Sequence, residues 1–212
     1  MNEAAIDDIA RLRSIAEEGR VQPLMGGRET ILWGSLVIVA LLLQWAITAR
    51  ALPLPPMAIA AVWFGVMLIG TIASRLPAIR GGGSAPANDL GNRIEGAGWS
   101  MGGSFLAVLG ICVFALSLYH LQTAGDPQFF LLFTLMPPAA FGVYGIALRA
   151  TSEAAAMPAL KPYAGLSLVM VAATVLLAGT MWQFPVAAAG IFLVAILPGR
   201  IMLARAVDGR HG

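Results

Sequence analysis

The chain has 212 residues, 58% of them hydrophobic and 11% charged, with 13 Lys and Arg against 11 Asp and Glu. Soluble domains carry about 25% charged residues, so this composition excludes an ordinary water-soluble globule; mean hydropathy is +0.81, and lipid is the expected solvent. A net charge of +2 leaves no reason to expect a nucleic-acid partner.

Residues 1–29 read as a cytoplasmic amphipathic helix and an entry turn. Ile6, Ile9, Leu12 and Ile15 share one apolar face, while Asp7 with Arg11 and Arg13 with Glu17 stand at the i,i+4 spacing that supports an exposed face. Gly19 is a natural stop. Up to Arg20 the acids Glu3, Asp7, Asp8, Glu17 and Glu18 outweigh Arg11, Arg13 and Arg20. A helix lying on anionic lipid carries a basic polar face, so this one suits a protein partner better. Its charged pattern lacks the apolar core of a secretory signal, and none is expected. Pro23 and Gly26-Gly27 then turn the chain toward the membrane.

Residues 30–206 contain six apolar windows, at about 31–49, 57–74, 100–119, 129–148, 163–181 and 186–204. Each is close to the roughly 20 residues that cross about 30 Å of hydrocarbon. They are twice the length of a barrel strand, which predicts helices. The fold class expected is therefore an all-α integral membrane protein, a bundle of six transmembrane helices, with a short tail at 207–212.

Arg11, Arg13, Arg20, Arg28, Arg75, Arg80, Arg93, Arg149, Lys161, Arg200, Arg205 and Arg210 all fall on one side of such a bundle, and Arg50 alone on the other. Because basic loops are retained inside, both termini are expected in the cytoplasm. Twelve Arg against one Lys, with abundant Ala, Gly and Pro, suggests a GC-rich bacterial genome and hence a bacterial inner membrane.

Helices 1, 3 and 5 enter behind an aromatic (Trp33, Trp99, Tyr163) and soon show a serine (Ser35, Ser104, Ser167). Helices 2, 4 and 6 carry Pro in the outer part and Arg at the inner end (Arg75, Arg149, Arg200), and Phe64-Gly65-Val66 recurs as Phe141-Gly142-Val143. Two explanations stand side by side: three helical hairpins in series, or the same end-marking residues recurring for topological reasons alone. The outer connections are short. The long one, from Arg75 to Glu95, holds Gly81-Gly82-Gly83-Ser84 and lies on the cytoplasmic side, with one helical turn expected at Asn88 to Glu95.

No window has an ionisable residue in its central third, although function retains such groups there despite a cost of about 2.5–3.5 kcal/mol. This argues against proton relays, carboxylate-bound cations and paired acid/base catalysis. His120 and His211 fall on opposite sides, and Cys112 is alone within helix 3, where a buried, inert thiol is expected. No catalytic residue, metal or cofactor is expected.

Two adjacent prolines, Pro137 and Pro138, predict a kink or break near the centre of helix 4. Thr134, Tyr144 and Gln44 are the polar residues that could attend such a break as solute contacts, with a packed structural kink as the commoner alternative. Gln44 and the small residues Ala61, Gly65, Gly103, Ala107, Gly142 and Gly145 are also suited to close packing and an interhelical hydrogen bond. The function expected is a non-enzymatic anchor, regulatory or assembly subunit with a protein partner at its cytoplasmic face. The alternative is a small carrier or channel component for a neutral or apolar solute.

Overall fold

In a computed structural model, residues 26–76, 79, 90–125 and 127–208 are described. The apolar face of residues 1–18, the Gly-rich stretch at 81–84 and the last four residues lie outside them. Among the described residues every regular element is a helix, with no strand, as expected where a chain must satisfy its own backbone donors and acceptors within an apolar environment.

Helix α1 (Gly27–Thr48) is followed by α2 (Ala58–Ala73) and by the long α3 (Leu90–Ala124). A 3-10 helix (Pro127–Leu135) leads into α4 (Met136–Ala154), and a short 3-10 turn (Pro158–Leu160) leads into α5 (Lys161–Leu176). The last span is one continuous rod in three parts: α6 (Gln183–Ile191), a π-helical turn (Phe192–Ile196) and α7 (Leu197–Asp208). Five segments are long and apolar enough to cross a membrane: Gly27–Thr48, Arg93–Ala124, Phe130–Ala154, Pro158–Leu176 and Gln183–Arg205; Ala58–Ala73 is apolar but shorter.

Neighbour relations run as a series. The main contacts of α2 are with α1, α1 lies along the whole last span, the last span touches α5, α5 packs on α4, and α4 packs on α3. The core lies where α4, α5 and the last span meet, with Phe141, Leu148, Leu160, Val194 and Met202 fully buried. Helices α2 and α3 sit at the two ends of this series and expose Phe64, Leu68, Met101 and Ile111.

Missing side chains set the closest approaches, as expected where apolar burial gives little drive for helices to associate. A Cβ on Gly27 would meet the Gly199 carbonyl at 2.8 Å, and one on Gly34 would meet Ala195 Cβ at 3.0 Å, joining α1 to the last span. Gly190 accommodates Met170 and the Phe141 ring, Gly145 lies against Ser167 and Ala164, and Gly98 and Gly102 lie against Ala147 and Val143. Gly65, Gly103 and Gly142, expected to be packing positions, have open space where a Cβ would stand.

Three expectations change. Helix 3 begins ten residues before its apolar window, so the single turn expected at 88–95 is, from Leu90 onward, part of α3. The paired prolines do not break the middle of a helix. They sit in the first turn of α4, where backbone donors lack intrahelical partners anyway. Cys112 is exposed on α3, because α3 has a neighbour on one face only.

The helix ends on one side of the bundle are tied together. Gly27 touches Gly199 and Met202, Gly26 touches Glu95, and Arg205 Nη1 donates to the carbonyls of Ala155 and Ala156 at 3.4 Å each. One end of the bundle thus gathers Arg28, Arg75, Arg93, Arg149, Lys161, Arg200 and Arg205. Arg50, in a left-handed conformation (φ 58°) just after α1, is the described cation at the opposite end.

Candidate functional site at the charged end

Glu95 is the most unusual side chain at this end. Helical spacing places it one turn before Trp99; Glu95 meets the α1 entry at Gly26 and Trp99 meets α4 at Tyr144. The Glu95 residue is 4% exposed, and its carboxyl lies against Gly26, whose backbone hydrogen-bonds it. A Cβ on Gly26 would collide with the carboxyl, so glycine at that position makes the burial possible. The Oε1 atom makes no hydrogen bond of good geometry, and the buried Trp99 indole N–H lies within reach of the same carboxyl. Trp99 in turn meets Tyr144 edge-on, with ring centroids 4.6 Å apart and planes at 69°.

Taking a carboxyl out of water without a counter-ion is costly. Glu95 therefore weakens the bundle that holds it. Glu95→Gln keeps the shape and removes the charge, and is expected to raise the melting temperature of the purified protein at neutral pH. For a chain of this size the gain is about 2–4 °C per kcal/mol. A lower melting temperature for the Gln variant would mean that the carboxylate is well satisfied.

Beside this group, a cleft of about 350 Å³ opens between α1 and α2, lined by Glu29, Trp33, Thr71, Ser74 and Arg75. Glu29 also repels the Glu95 carboxylate. Farther round the same end, Glu153 bridges Arg149 at 2.9 Å and Lys161 at 3.1 Å. The Arg149 and Glu153 side chains are more than half exposed and Lys161 is 41% exposed, and pairs open to water in this way contribute little.

The residues singled out at the proline pair are dispersed. Gln44 accepts a 2.8 Å hydrogen bond from the Trp63 indole, which ties α1 to α2. Tyr144 lies two turns from the prolines, against Trp99. Thr134 stays at the 3-10 junction, where its hydroxyl donates to the Leu131 carbonyl at 2.6 Å. Its own carbonyl would pair with residue 138 in a continuous helix, but Pro138 has no N–H. Gln183 Nε2 donates to it instead, at 2.6 Å, and also to the Thr174 carbonyl at 2.9 Å. Pro137 and Pro138 are buried and follow Thr134 closely in the chain, whereas Gln44 is bonded to Trp63 and Tyr144 packs on Trp99.

Two important residues, Glu95 and Gln183, were not singled out from sequence. Glu95 carries a signal: Gly98-Trp99-Ser100-Met101-Gly102 is a small-xxx-small pattern that marks a helix interface, and Glu95 stands on the same face one turn earlier. Gln183 borders the last window and looks like any interfacial residue.

Among the described residues, no three His, Cys, Asp or Glu side chains converge as metal ligands. The fold is that of a helical protein with five helices long and apolar enough to cross a membrane. No family model matches the chain, and no curated protein or solved structure matches it either.

Proposed function

We propose that the chain is a non-enzymatic subunit of a bacterial inner membrane, acting through its cytoplasmic face as an anchor, regulatory or assembly component. In this reading α2 is a sixth, short span, both termini are cytoplasmic, and the three consecutive helix pairs are hairpins in series. The observation that carries it is the gathering of seven described cations at one end, together with the buried Glu95 carboxyl and the α1/α2 cleft. Basic residues are retained on the cytoplasmic side, so that end is the one a cytoplasmic partner meets. The segment before α1 begins at the same end, with Ile6, Ile9, Leu12 and Ile15 as its candidate partner-binding face.

The test is a comparison of native membranes carrying the full chain and a variant with Ile6, Ile9, Leu12 and Ile15 all replaced by Ser. The variant should lose at least one stoichiometric co-purifying protein, and a reporter after Gly125 should lie outside the cytoplasm. An unchanged set of co-purifying proteins, or a cytoplasmic reporter, overturns the proposal. The carrier alternative has less support, because the Thr134 carbonyl left without its helical donor by Pro138 is already bonded by Gln183.

A further inference from the structure

We infer that the cleft between α1 and α2 at the charged end binds the head group of an aminophospholipid, with phosphate toward Arg75 and ammonium toward Glu29. Glu29 and Trp33 are one turn apart on α1, and Thr71, Ser74 and Arg75 share one face at the end of α2, so five side chains line one opening of about 350 Å³. That is near the lower end of ligand pockets, roughly 300–1,000 Å³.

Opposite charges line this cleft, yet neither Glu29 nor Arg75 enters an ion pair with any described residue. Among the described residues nothing offsets either charge, and a zwitterion would complement both. A cation beside Glu29 would also offset its repulsion of the Glu95 carboxylate. The Ser74 hydroxyl oxygen, on the residue just before Arg75, is shut off from solvent without a hydrogen-bond partner among the described residues. Trp33 forms the wall, its ring lying over Gly70 where any Cβ would collide with it.

The polarity of the cleft changes with depth in the same order as a phospholipid. Charged groups stand at the mouth, the Thr71 hydroxyl and Trp33 indole lie one turn deeper, and below them α2 exposes Leu68 and Phe64. Acyl chains can lie along that face. The site needs a bilayer but does not depend on which compartment the charged end faces.

The test uses the full-length protein in detergent, with binding read by native mass spectrometry and by thermal shift. The probes are dioleoyl phosphatidylethanolamine, dioleoyl phosphatidylglycerol, dioleoylglycerol and soluble phosphoethanolamine. The ethanolamine lipid should bind about tenfold more tightly than the glycerol lipid, equivalent to roughly 1.4 kcal/mol, and dioleoylglycerol should bind weakest of the three. Glu29→Gln should remove the preference between the first two, and Arg75→Ala should weaken both. Both positions are exposed, and unchanged elution and helix content will identify folded variants.

Equal binding of the ethanolamine lipid and dioleoylglycerol to the unmodified protein overturns the proposal without reliance on any variant. So does full retention of the ethanolamine lipid by the folded Glu29→Gln/Arg75→Ala double variant. Soluble phosphoethanolamine binding as tightly as the lipid would overturn the lipid assignment in favour of a free phosphoamine.

Discussion

Gly199→Leu is expected to prevent the bundle from assembling in stable form, whereas Gly65→Leu should leave it unchanged. At position 199 an added Cβ would stand 2.7 Å from Ile31 Cγ1 and 3.0 Å from the Gly27 carbonyl oxygen, the second a backbone atom that no rotamer change can move. At position 65 there is nothing within 4 Å. Overpacking a tight site costs typically about 1–3 kcal/mol, occasionally more. Because relief here requires separating α1 from the whole last span, a loss above about 3 kcal/mol is expected. The Gly65 change, on an open face, should stay within about 0.5 kcal/mol. Unfolding in mixed detergent, read by helix content, separates the two, and equal stability of the pair would disprove the close α1 crossing.

Gln183→Leu should cost about 2 kcal/mol, and about half of that should be recoverable by a second change at Pro138, far away in sequence but next to the Thr134 carbonyl that Gln183 serves. The Gln183 amide serves two carbonyls that have lost their helical donors: Thr134, because Pro138 has no N–H, and Thr174, because α5 ends at Leu176. A buried orphaned carbonyl costs about 1–3 kcal/mol, while side-chain bonds inside membrane proteins average about 0.6 and reach about 1.7 kcal/mol. Two bonds at strained helix ends belong toward the upper part of that range. Pro138→Ala restores a backbone donor to Thr134, so Gln183→Leu should cost roughly half as much in that background. A double-mutant cycle measures the coupling. Additive losses would mean that the amide does not substitute for the missing proline donor.

The helical class and five long apolar spans follow from composition and window length, since only helices of that size suit hydrocarbon. The grouping of cations follows from the same alternation of direction. What the windows could not supply is where a helix continues beyond its apolar part. Leu90 to Trp99 is too polar to count as a span, yet it extends α3, and that extension places Glu95 under Gly26. The proline pair was visible, but its consequence depended on the conformation of residues 127–135. In a 3-10 segment the prolines begin a helix, whereas in an α-helix they would break one. Packing glycines were legible only in part, since Gly145 proves tight and Gly65, Gly103 and Gly142 are open. Which face of a helix meets a neighbour is decided by the order α2, α1, last span, α5, α4, α3, and a single apolar window carries no information about that order.

The shortness of α2 has a consequence for membrane thickness. Sixteen residues at 1.5 Å each give about 24 Å of helix, against about 30 Å of hydrocarbon in an average bilayer. If α2 spans, the leaflets must dimple around it or the helix must draw its flanking residues into the interface, at a cost of fractions of a kcal/mol per Å of mismatch. Because α2 has one main helical neighbour, lipid rather than protein takes up that mismatch. The protein should therefore favour thin bilayers over thick ones, and its stability in vesicles should fall as acyl chains lengthen.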